Sequence, residues 1–478
     1  MSVIQRPSWI WAVLPETAAR IDSHGDPALA EVLRDSGYAV SDERREGAVD
    51  VVLYDTVEVP EPTDVADAVT DLTDGGVVAI AVAGGSVTPP RAVPTALRML
   101  QLLASPIETL RALAGARRAA HALREAGFES TRLATGDRSR SRYGLGPGGW
   151  VRRLRTPVGF VLTGSRGPMP ASLLDTAIAH SEESIGMPLR RLSTTVFESA
   201  KVVVCLRGPA GEEFFMRLAA GPAREPLDDS LVAIHAVASA DPPAVVRDRL
   251  IVPRTEGCVG PLRYALEPNA VGSHPWRMTA DLWDECFEFL TTLYRLELKG
   301  TEVPVEQHLS LALRMHEYLD ATETEQLDSI VAELERRLGR VPRGQSHGDF
   351  WSENLLVRDG RLATVLDWEW AAREALPLLD LFDLIALSRR RVRDLPPGER
   401  FTEVLWPLAR AGGNERVQAY CRALEVPADL ETLEALAVAY WLNRTARQLV
   451  PLSVFPGREG WLKRNVHGPI RRLAAEGW

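Results

Sequence analysis

The sequence predicts two folds in tandem: an α/β region at the N-terminus, then an α+β region that turns wholly helical toward the C-terminus. Three observations predict it. At 478 residues the chain exceeds one ordinary domain. Its N-terminal part alternates apolar runs with stretches of helical spacing, the pattern of strands joined by helices. Three short strand-like runs follow, and from Thr279 onward apolar residues recur at helical intervals.

Composition bounds the class. Hydrophobic residues are 45% and charged residues 25%, as in a soluble globular protein. A net charge of −10 argues against nucleic acid or an anionic membrane as the main partner. Cys205, Cys258, Cys286 and Cys421 are widely spaced, with no CxxC and no Cys/His cluster. That spacing suits neither zinc nor a disulfide framework, and predicts reduced core thiols in a cytoplasmic protein. Trp9 to Leu14 is apolar but lacks the basic flank and long apolar core of a secretory signal. No run of about eighteen apolar residues predicts a membrane span.

In chain order, residues 1–166 read as the first domain. Trp9 to Leu14, Tyr38 to Val40, Val49 to Tyr54 and Val77 to Ala83 are strands, the third and fourth of the buried parallel type. Asp26 to Asp35, Thr63 to Leu72 and Val93 to Ala126 are helices, the second closed by Gly75-Gly76 and the third broken at Pro106. A last strand pair falls near Thr131 to Leu133 and Val158 to Thr163. The alternation predicts a doubly wound, Rossmann-like α/β domain. Arg138 to Gly149 reads as a solvated loop, and Gly164 to Pro170 as the linker.

Asp50 to Asp55, then Asp71-Leu72-(x)2-Gly75-Gly76-Val77-Val78, then Leu123-(x)2-Ala126-Gly127-Phe128 resembles the second half of a class I methyltransferase. The departure lies upstream. Where that family places a glycine-rich loop for S-adenosylmethionine, this chain has Pro15-Glu16-Thr17-Ala18-Ala19. Glycines are needed there for close backbone approach to the ligand. The region therefore reads as a degenerate methyltransferase-like domain, with a structural or protein-docking role favoured over methyl transfer.

Residues 171–268 read as a small lobe. Ala171 to Ile185 is a helix; Leu192 to Thr195, Lys201 to Leu206 and Glu213 to Leu218 are strands, with a turn at Gly208 to Gly211. Ile251 to Pro253 and Leu262 to Glu267 are two further strands. Residues 269–478 read as a large lobe. Its helices are Thr279 to Glu297, Gln307 to Tyr318, Thr324 to Leu338, Leu378 to Arg389, Phe401 to Leu408, Glu415 to Leu424 and Leu430 to Leu449.

Within this lobe, Ser346 to Asp367 reads SHGDFWSENLLVRDGRLATVLD. Leu355 to Val357 and Ala363 to Leu366 are strands joined by Asp359-Gly360, a two-residue turn in which both positions accept positive φ. The hairpin returns Asp367 to Asn354, with Asp349 one loop away. Two hard oxygen ligands facing one point suit Mg²⁺, which completes its shell with phosphates and water. Phosphoryl transfer needs such a set: one Asp for the hydroxyl, an Asn and a second Asp for the metal.

His347-Gly348-Asp349-(x)4-Asn354, followed by Asp367-Trp368-Glu369 and Asp380 after Pro377, resembles the aminoglycoside phosphotransferase and choline kinase family. The resemblance implies a kinase-like bilobal fold, ATP and Mg²⁺ as cofactors, and a small-molecule hydroxyl acceptor. Asp349 would orient or deprotonate that hydroxyl, His347 would hold the loop, and Asn354 and Asp367 would bind the metal. Glu369 and Trp368 would support the metal loop or face the acceptor. Trp441, Asn443, Arg444 and Trp461 are candidates to line the acceptor pocket.

In the small lobe, Ser193 and Thr194 stand where the phosphate-covering loop would be, without its glycines. Arg217 stands where the kinase fold has Lys, with Lys201 as a substitute and Glu225 as its acidic partner. Glu267-Pro268 would present backbone to the adenine. Arg217 and the degenerate first domain motivate two alternatives: a pseudokinase scaffold without transfer, and a bifunctional methyltransferase–kinase.

Overall fold

The computed structural model describes residues 20–25, 33–34, 38–41, 49–56, 72–83, 130–138, 159–165, 171–196, 202–297, 312–387, 395–449 and 458–478. These fall into two compact units. One draws on Ile4–Leu227 and Pro253–Asn269, the other on Asp228–Val252 and Ala270–Trp478.

The first unit is built on an eleven-stranded sheet. Six strands come from the N-terminal region: β1 (Arg20–Gly25), β2 (Ala39–Ser41), β3 (Val49–Thr56), β4 (Leu72–Ala83), β5 (Ser130–Arg138) and β6 (Gly159–Ser165). Parallel pairing links β2, β1, β3 and β4 in that order, and β6 runs antiparallel between β4 and β5. The remaining five are β7 (Arg190–Val196), β8 (Val202–Arg207), β9 (Glu213–Ala219), β10 (Thr255–Val259) and β11 (Leu262–Pro268). They form an antiparallel run joined to β5 by a short parallel pairing at Asp137↔Thr195 and Arg138↔Val196. Helix α1 (Leu173–Ile185) packs Leu173, Leu174 and Ala177 into the same core as Val204, Met216 and Leu266. Ser172 and Asp175 cap it reciprocally, which is why the helix starts there.

Several sequence expectations are corrected here. Arg20–Gly25, to which no element was assigned, is β1, a strand parallel to both neighbours. Gly75 and Gly76 do not close a helix; they lie within β4. The pairing jumps from Val49↔Leu72 to Val51↔Val77, so the intervening residues form a bulge, where glycine is easily accommodated. Gly164 belongs to β6 rather than to a linker. Ile251 to Pro253 is not a strand: Pro253 has no N–H to donate, and β10 begins after Arg254 donates to Leu266 O. Cys258 is exposed and Cys205 half-buried, while Cys286 and Cys421 are core; all four are free. The strand at Trp9 to Leu14, the helix at Val93 to Ala126, residues 139–149 and Lys201 lie outside the described residues. So do the helix at Asp26 to Asp35, apart from Leu33 and Arg34, and the one at Thr63 to Leu72, apart from Leu72.

The second unit is mostly helical: α2 (Arg224–Ser239), α3 (Ala280–Arg295), α4 (Ala321–Leu338), α5 (Leu379–Leu387), α6 (Glu415–Leu424) and α7 (Leu430–Leu449). Side-chain caps from Thr279, Asp320 and Asn414 start α3, α4 and α6. Helix α7 carries the core, with Leu433, Leu436, Val438, Tyr440, Trp441 and Leu442 all buried. The segment predicted as one helix from Phe401 is a π turn (Phe401–Leu405) leading into Trp406–Arg410; Pro407 removes an intrahelical donor. A second π turn, Lys463–His467, precedes Pro469. Pro469 cannot donate to Asn465 O, and the Trp441 indole N–H takes that carbonyl at 2.8 Å instead. Ala312–Tyr318 is a 3-10 helix rather than α. Among the described residues no helix is long and apolar enough to cross a membrane.

Two short ladders position the site: β12 (Gly344–Ser346) with β15 (Ala372–Ala375), and the hairpin β13 (Leu355–Arg358) with β14 (Arg361–Val365). Asp359 and Gly360 turn the hairpin at φ 52° and 79°, as their residue types predict.

Candidate active site

The loop after β12 begins at His347. Asp380, in the first turn of α5, accepts the His347 N–H at 2.8 Å on one carboxylate oxygen and the Gly348 N–H at 2.7 Å on the other. Two buried backbone donors are thereby satisfied by one buried carboxylate. Gly348 has φ +80°, and a Cβ built on it would sit 1.9 Å from Trp370 O. Only glycine fits both the dihedral and that approach.

His347 is fully buried. Its Nε2 lies 2.9 Å from Leu366 O, and its Nδ1 accepts the Asp349 N–H at 3.3 Å. A carbonyl only accepts, so the proton is on Nε2. Burial pushes the imidazole below its ordinary range, against the opposing pull of Asp380, Asp349 and Asp367. The neutral ring is therefore part of the fold. As pH falls below about 6.5 the unfolded chain binds this proton first, so stability is full above that pH and declines below it. A His347→Gln variant is expected to flatten the acid limb of a Tm–pH profile below about pH 6.5. An unchanged limb would assign the acid sensitivity to other groups.

Three donors converge on the Asp349 carboxylate: Trp351 Nε1 at 3.1 Å, Asn354 Nδ2 at 2.7 Å and Arg444 Nη1 at 3.0 Å. Burial pushes its pKa up, but the Arg444 charge and the hydrogen bonds from Trp351 and Arg444 outweigh burial and hold it below the usual carboxylate range. Asp349 is thus ionised at neutral pH.

Asn354 divides its amide. Nδ2 donates to Asp349, to the backbone oxygen at 2.9 Å as well as to the carboxylate. Oδ1 is buried with no hydrogen-bond partner among the described residues. Leu366 N donates to Asn354 O at 2.8 Å, so the chain returns Asp367 beside Asn354. Asp367 has φ +66°, unusual for a residue with a side chain, and among the described residues its carboxylate accepts no hydrogen bond.

Other predicted residues fall elsewhere. Trp368 is core: it packs edge-on against His347 at 4.7 Å and donates to Val365 O, which excludes an acceptor-facing role. Glu369 is half-buried. Trp441 is fully buried, stacked on Phe401 at 5.5 Å, and is corrected from pocket wall to core. Arg444 and Asn443 do line a cavity, together with Gly348, Asp383, Tyr440 and Arg447. Arg444 grips Asp383 through two nitrogens, and Tyr440 Oη donates to the same carboxylate at 2.7 Å. Asp383, Arg447, Trp351 and Trp370 were missed in the sequence. The available signal was helical spacing: Asp383 follows Asp380, and Arg447 follows Arg444, by three residues.

The first unit holds the remaining predicted residues. Ser193 is exposed and Thr194 half-buried on β7. Arg217 on β9 forms an ion pair with Glu267 on β11. Glu225 is exposed in the first turn of α2, so the acidic partner of Arg217 is Glu267 instead. The register explains this choice, since Arg217 pairs with Ala265 and Glu267 lies two residues on, on the same face of the next strand.

Comparison with solved structures finds a thermostable mutant of aminoglycoside phosphotransferase APH(4)-Ia in its apo form. It is 16% identical, covers 62% of this chain and 99% of that one, and has a TM-score of 0.42. Macrolide 2'-phosphotransferase MphH from Brachybacterium faecium is 15% identical over 61% and 97% of the two chains, with a TM-score of 0.41. ADP-bound aminoglycoside phosphotransferase APH(2'')-Ib is 15% identical over 62% and 97%, with a TM-score of 0.37. No curated protein matches the chain. A family model does: it matches residues 199–420 and is described as a phosphotransferase enzyme family. Over residues 199–420, then, this chain is similar to the phosphotransferase enzyme family.

Proposed function

We propose that the protein transfers the γ-phosphoryl group of ATP to a hydroxyl of a small molecule. The observation that carries this is the divided Asn354 amide: one end fixes the ionised Asp349, the other leaves a buried oxygen without a partner. Asp349 orients the acceptor hydroxyl and takes its proton as the hydroxyl oxygen bonds to the γ-phosphorus. The bond from that phosphorus to the β–γ bridging oxygen breaks, and ADP leaves. Positioning and charge neutralisation account for most of the acceleration.

Mg²⁺ fits the oxygens present. Asn354 Oδ1 is an orphaned buried acceptor, and the Asp367 carboxylate has no hydrogen bond among the described residues. Among those residues no group of three or more His, Cys, Asp or Glu could hold a metal by itself, which suits an ion that takes one or two protein oxygens and shares the phosphates. When bound, the ion would neutralise charge on the phosphoryl oxygens. Ser193, Thr194, Arg217 and Glu267 remain the proposed nucleotide residues of the first unit.

Calorimetric titration with ATP, with and without Mg²⁺, tests the reading. Binding is expected to depend on Mg²⁺ and to weaken at least about tenfold in Asp367→Asn, the scale of one charge-assisted contact. A second reading, a pseudokinase scaffold, is favoured by one observation: the cation in the lysine position is an arginine already paired with Glu267. Absence of binding by ATP and by GTP would select it. For the N-terminal strands we retain a methyltransferase-like docking module that meets a protein partner. Binding of S-adenosylmethionine in the same calorimeter would replace that with a bifunctional enzyme.

A further inference from the structure

The cavity beside the His347-Gly348-Asp349 loop has an uneven charge lining. Its one carboxylate, Asp383, is 2% exposed and already engaged by Arg444 and by the Tyr440 hydroxyl. Arg444 itself spans two carboxylates, Asp383 and Asp349. Arg447 differs. Its Nη1 donates to Gly348 O, and its guanidinium lies 4.6 Å over the Trp370 ring. Its Nε is buried without a partner, and among the described residues no carboxylate lies within ion-pairing distance. Burial and the like charge of Arg444 push this guanidinium down to about 9, against the opposing pull of the more distant Asp349 and Asp380. Ala372, Ala375, Leu376, Leu379 and Ala439 make the rest of the wall mostly apolar, which strengthens any charge interaction inside.

We infer that the acceptor carries an oxyanion, a carboxylate or a phosphate, which Arg447 binds in this cavity while Asp349 holds the hydroxyl to be phosphorylated. The inference rests on the phosphotransferase reading and adds the substrate class: acidic hydroxyl compounds. A guanidinium offers a planar pair of donors that matches an oxyanion. A polycationic acceptor would meet Arg447 at close range in an apolar pocket, which disfavours it.

The test uses the full chain and its own fluorescence, since Trp370 lies against Arg447. D-glycerate, glycerol 3-phosphate, glycerol and kanamycin are titrated separately at constant ionic strength, without nucleotide. At least one of the two anions is expected to give a saturable change, and glycerol and kanamycin none. Which anion saturates distinguishes carboxylate from phosphate. Arg447→Gln is expected to weaken anion binding by about tenfold or more, with Arg447→Lys in between. Circular dichroism melts establish that each variant is folded. In the unaltered protein, the saturating anion is expected to slow phenylglyoxal modification of Arg447, read by peptide mass mapping; this arm stands even where a variant does not fold. Lack of saturation by both anions, an equal response to glycerol or kanamycin, unchanged binding in folded Arg447→Gln, or no protection overturns the inference. Because no nucleotide is present, the phosphotransferase reading is tested apart from it. Anion binding without Mg²⁺-ATP binding would sink that reading alone, and transfer to kanamycin only would sink the acidic acceptor alone.

Discussion

Asp349→Asn is expected to lower phosphoryl transfer by about 10³-fold, within the range that a positioned general base contributes, while Mg²⁺-ATP binding stays close to that of the unaltered protein. The side chain keeps its size but loses the charge and the capacity to take a proton. It also loses symmetry. Trp351 Nε1, Asn354 Nδ2 and Arg444 Nη1 all donate to the carboxylate. A carboxamide has one oxygen, so its NH₂ must face a donor, and at least one pairing is lost. That loss costs about 1–3 kcal/mol, visible as a lower Tm in a protein that still folds. Initial rates at saturating ATP, beside calorimetry of the same samples, separate the two effects. Turnover equal to that of the unaltered protein would remove Asp349 from the reaction.

The largest stability effect is expected at Gly348. In Gly348→Ala the new methyl meets Trp370 O at 1.9 Å and Trp370 C at 2.5 Å, both backbone atoms, at φ +80°. Neither side can yield cheaply. Asp380 holds the glycine's own N–H, and the Trp370 peptide leads into the β12–β15 ladder at Ala372. Overpacking and left-handed strain together put the loss at about 4 kcal/mol. Gly360→Ala is the matched control. Its φ of +79° is nearly the same, but nothing lies within 4 Å of the added carbon. Strain alone predicts about 1 kcal/mol there. Urea unfolding of both variants checks the difference, and equal losses would show that the Trp370 approach does not limit residue 348.

Much of the second unit was legible because its signals are local. Glu415 to Leu424 and Leu430 to Leu449 were read from apolar spacing and appear as α6 and α7 with those bounds. Asp359-Gly360 was read from its tolerance of positive φ, and both residues adopt it. The small-lobe strands read at Leu192 to Thr195, Lys201 to Leu206, Glu213 to Leu218 and Leu262 to Glu267 fell within about two residues of their places for the same reason, whereas the one read at Ile251 to Pro253 did not. The failures were local signals that were overridden or split. Gly75-Gly76 marks a chain irregularity equally well at a helix end or in a bulge, and only the pairing of β3 with β4 selects the bulge. Trp441 sits three residues from Arg444 and was read with it, but a helix presents different faces to core and cavity.

The sequence by itself determined the proposed reactive set: His347, Asp349, Asn354 and Asp367, and the hairpin that returns the last of them to the third. Short-range backbone preferences are enough for that. Tertiary structure alone decided which charged and polar groups pair within each unit. Arg447 reaches Gly348 across 99 residues of chain, Arg444 reaches Asp383 across 61, and Arg217 takes Glu267 rather than Glu225 across 50. Partner choice in such pairs depends on which helix face or strand register packs opposite, and that is a property of the assembled core rather than of any segment.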